Sequence, residues 1–322
     1  MSTYSSQEAY FDQLKTGLRY DFGYIAVAAA LAVSTVPLLW ITSCGPQATS
    51  AKHGVFRVSR RWMIASLSLY LIYLLLTISG EGLSAESIAR YIRDNGYAKR
   101  ATGNETARGE AYERLPGFMI FVNDIADIAI SITIVEVGRG LVGSAHETTS
   151  STSKRRKPSS RIVILAWTAV LFAFAVAFLA FIERLSTDSI LLYSAASTSS
   201  AIDISNRTAN FWAGRRKMIN LRGFLDVIWW ATSLPLLAYS IYVVRNQDVK
   251  SRQLLHKSAI LLLVASGLNV FRFTYRFILS VLFTWVANIT PKVPVPLVTL
   301  ILENVPEFVA LALLVTIIMR GS

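Results

Sequence analysis

The sequence predicts an all-α, polytopic membrane protein built as a bundle of seven transmembrane helices. Apolar residues make up 53% of the 322 residues, charged residues make up 16%, and the mean hydropathy is +0.46, which is too apolar for an ordinary soluble domain. Seven apolar runs are each about twenty residues long, enough for a helix to cross a hydrocarbon core of roughly 30 Å. The alternation of apolar and polar residues that is typical of a membrane barrel is absent.

The positions of these runs define seven predicted spans. Their residue numbers are 23–43, 62–79, 118–138, 161–182, 224–244, 258–286 and 296–319. The first span follows mostly polar residues and is itself long enough to cross the membrane, so we expect it to insert the chain without a cleaved signal peptide. The second and fourth spans follow basic residues and contain no acidic residue. The third, fifth, sixth and seventh spans contain ionisable residues, on which the functional predictions depend.

Two sequence signals predict that the amino terminus is outside and the carboxyl terminus is cytosolic. The chain has a net charge of +12, and its basic residues concentrate after the first, third and fifth spans, which the positive-inside rule assigns to the cytosol. The alternate segments contain three glycosylation sequons, at Asn104, Asn206 and Asn288, and such sequons are used on the lumenal side. Because the basic residues are spread over short segments, they argue against nucleic acid as a partner.

Several connecting segments have distinctive compositions. Residues 146–160 read HETTSSTSKRRKPSS and are predicted to form a flexible, basic cytosolic loop. This loop either binds anionic lipid, with phosphorylation of its hydroxyls weakening the attraction, or only satisfies the positive-inside rule. On the outer side, residues 83–97 are predicted to form an amphipathic surface helix or a solvated loop with one short helix. Residues 183–221 are predicted to form an extracellular loop.

Matched charges lie inside the last two spans, Arg272 and Arg276 in the sixth and Glu303 and Glu307 in the seventh. A charge at membrane depth costs at least about 2.5–3.5 kcal/mol on insertion scales, so these residues predict a buried polar site. Each pair has i,i+4 spacing and therefore lies on one helical face. At 1.5 Å per residue in antiparallel helices, Arg276 lies within about 4 Å of the depth of Glu303, and Arg272 lies as close to that of Glu307.

Three more acids approach the same depth. Asp124 and Asp127 share one face of the third span, and Asp226 lies near the outer end of the fifth. Five acids and two arginines, if all ionised, would have a formal charge of −3, which a protonated acid or a cationic ligand would relieve. Alternatively, Asp124 and Asp226 are solvated near the headgroups. The predicted intramembrane polar cluster contains Asp124, Asp127, Arg272, Arg276, Glu303 and Glu307.

The cluster has three possible roles, namely ion pairing between helices, ligand or lipid binding, and catalysis or proton relay. Pro306 lies between the two glutamates and is expected to kink the seventh helix beside a hydrated pocket. Asn123-Asp-Ile-Ala-Asp127 resembles the NDxxD element with which intramembrane prenyltransferases hold magnesium and diphosphate, but no second Asp-rich element is evident. The single cysteine, Cys44, excludes an intramolecular disulfide. We therefore assign no catalytic residue, no cofactor and no metal ligand.

A family resemblance rests on residues of the third, sixth and seventh spans. The Arg-x-x-Tyr-Arg pattern at residues 272–276, the acids of the seventh span and Gly138-Arg139 together resemble fungal lipid-translocating exporter-type proteins and related uncharacterised fungal seven-helix integral membrane proteins. This resemblance implies a fungal plasma-membrane or endomembrane protein linked to lipid handling or stress resistance. The exporter-type pattern also has an acid shortly after the second arginine, whereas this chain continues Phe277-Ile-Leu-Ser280.

The favoured function is the handling or sensing of a membrane lipid or amphipathic small molecule through the intramembrane polar cluster. One alternative is a receptor-like signalling protein whose fifth and sixth helices would move at their cytosolic ends. Another is an intramembrane enzyme such as a terpene cyclase, with Asp127 or Glu307 as proton donor. We expect a non-enzymatic function more than an enzymatic one. The sequence makes no prediction of the oligomeric state.

Overall fold

A computed structural model of the chain describes residues 2–44, 53–93, 104–147, 178, 182, 201–282 and 298–321. These residues are helical almost throughout, and none of them lies in a strand. The all-α class that the sequence predicts is therefore confirmed for the described part of the chain.

The helices follow one another with short connections where both neighbours are described. Their bounds are α1 Ser2–Cys44, α2 His53–Arg93, α3 Asn104–Glu147, α4 Ala201–Arg245, α5 Gln247–Lys250, α6 Gln253–Ser280, the π segment Leu300–Asn304 and α7 Val305–Gly321. The single turn of α5 reverses the chain between α4 and α6. Asn246 caps it, because its side-chain oxygen accepts a hydrogen bond of 3.0 Å from the backbone N–H of Asp248.

Six helical stretches in the described residues are long and apolar enough to cross a membrane. They are Asp21–Cys44, Phe56–Leu83, Phe118–Ala145, Asn220–Arg245, Gln253–Ser280 and Leu300–Arg320. These stretches overlap the first, second, third, fifth, sixth and seventh predicted spans. Of the fourth predicted span, 161–182, only Phe178 and Ile182 are described, and residues 148–160 and Asn288 lie outside the described residues. The chain thus has the architecture of a multi-pass membrane protein.

Several helices are much longer than the predicted spans. Helices α3 and α4 contain 44 and 45 residues, or roughly 66 Å at 1.5 Å per residue, about twice the thickness of a hydrocarbon core. Helix α2 continues without a break to Arg93, so the prediction of a separate short helix within residues 83–97 is wrong. Helix α4 begins at Ala201, so the second half of the predicted loop 183–221 is helical. Residues 83–93 and 201–221 contain no proline, which is the residue that most often ends a helix. Helices α2 and α4 therefore extend through these residues.

Two groups of helices pack into one bundle. Helix α2 lies between α1 and α3, α6 lies between α4 and α7, and α7 also contacts α1, α2 and α3. Polar contacts between hydroxyls join neighbouring helices at buried positions: Ser66 and Thr133 are 3.1 Å apart between α2 and α3, and Ser240 and Ser266 are 2.6 Å apart between α4 and α6. Hydroxyl pairs of this kind are common between membrane helices because lipid offers no competing partner.

Apolar and charged residues are arranged differently from those of a soluble domain. Large apolar side chains project from the outside of the bundle, and Val33 and Trp40 are 72% and 69% exposed. Several charged side chains are instead buried, and Arg272 is 0% exposed. An apolar exterior around a charged interior suits a lipid surrounding, in which exposed apolar groups cost nothing and exposed charges are expensive.

Two glycines allow α3 to approach its neighbours closely. A Cβ atom at Gly138 would lie 2.5 Å from Cε1 of Tyr239, and one at Gly140 would lie 2.7 Å from Cε1 of Phe56. Real Cβ contacts are longer than either distance. The ring of Phe56 is only 2% exposed, so it has little room to move aside. Gly140 is therefore a close-packing position between α2 and α3.

The predicted orientation leads to a direct test at the sequons. Asn104 begins α3 and Asn206 lies in the second turn of α4, at the ends of these helices that precede their membrane stretches. We expect an endoglycosidase to increase the gel mobility of the wild type, with a smaller increase for Asn104→Gln and for Asn206→Gln. Thr106→Ala and Thr208→Ala, which destroy the same sequons without changing the asparagines, should match them. A wild type that the enzyme leaves unchanged would contradict an outside amino terminus.

Candidate functional site

Eight charged side chains meet inside the bundle, and we call them the ionic cluster. They are Asp124, Asp127, Arg222, Asp226, Arg272, Arg276, Glu303 and Glu307. All six members of the predicted polar cluster are among them, and Arg222 and Asp226 are added. Helices α3, α4 and α6 each contribute two residues one turn apart, at i,i+3 in α3 and i,i+4 in α4 and α6, so the two residues of each pair share one helical face. Glu303 comes from the π segment and Glu307 from α7. Whether the cluster binds a ligand stays a prediction.

Arg276 has the largest number of partners in the ionic cluster. Its Nη1 donates to Oδ2 of Asp127 at 2.6 Å, and its Nη2 donates to Oδ1 of Asp124 at 3.2 Å. The same Nη2 lies 3.3 Å from Oδ1 of Asp226, and Nε lies 3.4 Å from Oε1 of Glu303. One guanidinium on α6 therefore contacts carboxylates from α3, α4 and the π segment. Its rigid fork of five N–H donors suits such multiple contacts.

Arg272 joins two acids on different helices. Its Nη2 donates to Oδ1 of Asp127 on α3, and its Nη1 forms an ion pair with Oε2 of Glu307 on α7. All three side chains are 0% exposed. Charges that are buried this deeply persist only when they are paired, because desolvation costs several kcal/mol per ion. The Arg272–Asp127–Glu307 contacts thus tie α6 to α3 and α7.

These contacts agree only in part with the pairing that residue counts along the sixth and seventh spans predict. Arg272 meets Glu307 and Arg276 meets Glu303, as the residue counts predict. Asp127, however, lies between the two arginines and accepts from both, so the contacts are not two separate Arg–Glu pairs. Asp127 bridges α3 to α6 twice and is itself 0% exposed.

Arg222 is the member of the ionic cluster that the sequence analysis missed, whereas Asp226 is the fifth acid that it considered. Nη1 of Arg222 donates to both carboxylate oxygens of Asp124, at 2.9 and 2.7 Å, and its Nε lies 3.7 Å from Oδ1 of Asp226. Asp226 also accepts from the hydroxyl of Ser280. Asp124 and Asp226 are 2% and 5% exposed, so the alternative in which they are solvated near the headgroups is wrong. The i,i+4 spacing of Arg222 and Asp226 was the available signal, but the predicted fifth span began at residue 224, after Arg222.

The ionic cluster contains more acids than bases. Five carboxylates meet three arginines, which gives a formal charge of −2 if every group is ionised. The third arginine reduces the excess that the sequence alone predicted. Glu303 has the weakest arginine contact of the five acids, because its one ion pair is the 3.4 Å approach to Nε of Arg276.

A local irregularity of the backbone carries Glu303. Residues Leu300–Asn304 form a π-helix, in which the N–H of Val305 donates to the carbonyl of Leu300. Pro306 follows at once and has no N–H to continue the regular pattern. The hydroxyl of Tyr70 on α2 donates to the carbonyl oxygen of Asn304 at 2.8 Å. Short π-helical turns occur frequently at functional sites because they reorient one side chain within a helix.

Aromatic rings form one wall of the ionic cluster. The guanidinium carbons of Arg272 and Arg276 lie 4.5 and 5.7 Å from the ring centre of Phe273. Trp229 of α4 stacks on Phe273, with the two ring centres 5.5 Å apart. Trp230 and Phe277 form a second stacked pair at 5.0 Å. The polar interior is therefore bordered by an apolar aromatic layer between α4 and α6.

Some buried polar atoms have no hydrogen-bond partner within the part of the chain that the structure describes. Near the aromatic wall and the arginines they include the indole Nε1 of Trp229, the amide Nδ2 of Asn269 and Oδ1 of Asn304. Their side chains are at most 4% exposed. Asn269 precedes Arg272 by one turn of α6, so both lie on the same face. Unpaired buried polar atoms are rare and call for an explanation, of which a bound polar molecule is one.

Metal binding by the NDxxD element finds no support in the structure. Asp124 and Asp127 both form ion pairs with arginines, and the described residues contain no group of three His, Cys, Asp or Glu side chains that could hold a metal ion.

The three predicted glycosylation sites are not part of the ionic cluster. Asn104 lies in α3 and Asn206 in α4, and Asn288 lies outside the described residues.

Comparisons with known proteins return no match. No protein-family model matches this chain, and neither the curated proteins nor the solved structures include one that is significantly similar to it. The resemblance to fungal lipid-translocating exporter-type proteins therefore stays a prediction from the residues that carry it.

Proposed function

We propose that this chain binds an amphipathic molecule, a membrane lipid or a related small molecule, with its positively charged polar end at the ionic cluster. The observation that carries this proposal is the buried excess of two carboxylates over arginines. A low-dielectric interior resists uncompensated negative charge, and a cationic group in the ligand removes it. Transport or sensing of that molecule is the function that this site supports best.

Two features beside the cluster favour an amphipathic ligand over a small inorganic cation. The stacked pairs Trp229–Phe273 and Trp230–Phe277 offer apolar and aromatic surface next to the charges. Nε1 of Trp229 and Nδ2 of Asn269 are hydrogen-bond donors that have no acceptor among the described residues. A ligand with an apolar body, an acceptor and a cationic head would satisfy all these groups, in keeping with the general character of small-molecule sites.

Binding of two probes that differ only in head charge tests the proposal. Purified protein in nanodiscs is titrated with decylammonium and with decanoate, and binding is followed by calorimetry. We expect the wild type to bind the amine and not the carboxylate. Glu307→Gln should weaken amine binding by at least about tenfold, since close buried charge pairs contribute about 1.5 kcal/mol or more.

The matched control is Glu136→Gln. Glu136 forms an ion pair with Arg139 at 2.7 Å, and it lies in the opposite half of the α3 membrane stretch from Asp124 and Asp127. Glu136→Gln removes one negative charge, as Glu307→Gln does, but outside the ionic cluster. Amine binding should therefore stay at the wild-type level. Equal binding of amine and carboxylate by folded wild type, or equal weakening by the two glutamine variants, would contradict the proposal.

A receptor-like function is the second candidate, and one contact favours it. The connector between α4 and α6 is tied to the end of α3, because Nη1 of Arg252 donates to the carbonyl of Ser144 at 3.2 Å. A ligand that shifts α6 at the cluster would therefore act on this contact at the far end of the same helix. Proteoliposomes separate the candidates: uptake of the amine into the lumen favours transport, whereas binding without uptake but with altered proteolysis of the connector favours sensing.

A further inference from the structure

The π segment Leu300–Asn304 sets the direction in which Glu303 points. In this segment the N–H of Val305 donates to the carbonyl oxygen of Leu300, five residues earlier, whereas an α-helix joins residues four apart. Closing the turn to the regular pattern would rotate the preceding residues about the helix axis by up to one position, or roughly 100°. Oε1 of Glu303 lies 3.4 Å from Nε of Arg276, and a regular helix would therefore move this carboxylate away from the arginine.

The sequence weakens the regular helix at this point. In an α-helix the carbonyl oxygen of Leu302 would accept from the N–H of residue 306, but that residue is Pro306, which has no N–H. This hydrogen bond of the regular pattern is lost whichever form the segment takes. The α-helical form therefore has less advantage here than elsewhere, and contacts from neighbouring helices decide between the two forms.

Two neighbouring helices hold the π segment through tyrosine hydroxyls. The hydroxyl of Tyr70 on α2 donates to the carbonyl oxygen of Asn304 at 2.8 Å, and both residues are buried. At the other end, the hydroxyl of Tyr275 on α6 lies 3.3 Å from Oγ1 of Thr299, the residue before the segment. The contact of Tyr70 is the shorter of the two, and it is made to the residue next to Glu303. Tyr70 is thus the better placed of the two to fix the backbone at Glu303.

We propose that Tyr70 is a positioning residue, whose hydrogen bond to Asn304 keeps the segment π-helical and thereby directs Glu303 to the cationic head of the bound amphiphile. The inference rests on the proposed function for the ligand and on the π segment for the geometry. Tyr70 comes from α2, which supplies no member of the ionic cluster, so it acts on the ligand through the π segment.

Binding of decylammonium to the full chain in nanodiscs tests this role. Tyr70→Phe removes only the hydroxyl oxygen, and we expect it to weaken binding about two- to tenfold, the effect of one net hydrogen bond. In the Glu303→Gln background the same substitution should have no further effect, because the carboxylate through which Tyr70 acts is gone. Tyr239→Phe, whose ring packs on Gly138 in another part of the bundle, is the control and should bind as the wild type does. Wild-type binding by Tyr70→Phe, or the same weakening in both backgrounds, would overturn the proposal.

Solid-state NMR without added amphiphile tests the backbone directly. Glu303-Asn304 is the only Glu-Asn dipeptide in the chain, so protein labelled with ¹³C-carbonyl glutamate and ¹⁵N-asparagine gives a single carbonyl–nitrogen cross-peak. We expect Tyr70→Phe to shift this cross-peak, and Pro306→Ala, which restores the missing N–H, to shift it in the same direction. Tyr239→Phe should leave it in place. Pro306→Ala decides the matter even where Tyr70→Phe fails to fold, because it favours the regular helix without touching α2.

The two measurements separate this inference from the proposed function. A cross-peak that neither Tyr70→Phe nor Pro306→Ala moves would overturn the positioning role, whatever the result of the amine titration. A wild type that binds no amine, with the cross-peak shifts as expected, would overturn the proposed ligand alone and leave Tyr70 as the residue that orients Glu303.

Discussion

Replacement of Arg272 by alanine is expected to lower the free energy of unfolding by about 3–5 kcal/mol, the cost of breaking a buried ion pair by removing one partner. The side chain is 0% exposed, and its loss leaves Glu307 without a cation and Asp127 with only Arg276. Both carboxylates would stay buried between helices. Unfolding of the purified protein in mixed micelles, titrated with a denaturing detergent, measures the change.

Two further variants give this prediction its controls. Arg139→Ala removes an arginine whose side chain is 40% exposed and pairs with Glu136 of the same helix, so a change of about 0–1 kcal/mol is expected. Arg272→Lys keeps the charge, but a single ammonium lacks the planar fork that reaches acids on two helices, so an intermediate loss is expected. Equal stability of Arg272→Ala and Arg139→Ala would show that the ionic cluster does not hold the bundle together.

Replacement of Gly140 by alanine is expected to cost about 1–3 kcal/mol of stability, the usual penalty for overpacking a core. The added Cβ would lie 2.7 Å from Cε1 of Phe56, and the ring of Phe56 is buried in the interior between α2 and α3. Either the ring or the helix must move. The same detergent titration measures this loss.

The matched substitution is Gly267→Ala in α6. Apart from its chain neighbours and the local helix backbone, no atom of the described residues lies within 4 Å of a Cβ at that position, so alanine should be neutral or stabilise the helix by up to about 1 kcal/mol. Phe56→Leu should recover part of the loss in the Gly140→Ala background, because the smaller side chain leaves room for the new methyl group. A Gly140→Ala protein as stable as Gly267→Ala would show that the close packing of α3 on Phe56 is not needed.

Prediction of the ionic cluster from sequence succeeded where simple helix geometry applies. Helices that follow one another are antiparallel, so residue counts from their ends place Arg272 beside Glu307 and Arg276 beside Glu303. The part played by Asp127 depends on how α3 is rotated about its axis and which helix it faces, and residue counts say nothing about either. Arg222 was missed for a different reason: its helix continues far beyond the apolar run by which the span was recognised.

The sequence by itself determined that this is a helical membrane protein, because apolar runs of membrane length leave a chain no other way to satisfy its backbone in lipid. It also determined the charges inside these runs and the helix face on which each pair lies. The tertiary structure alone decided that one arginine, Arg276, meets acids from three other elements and that carboxylates exceed arginines by two. Those facts depend on contacts between residues far apart in the chain, and only the packing of the helices creates them.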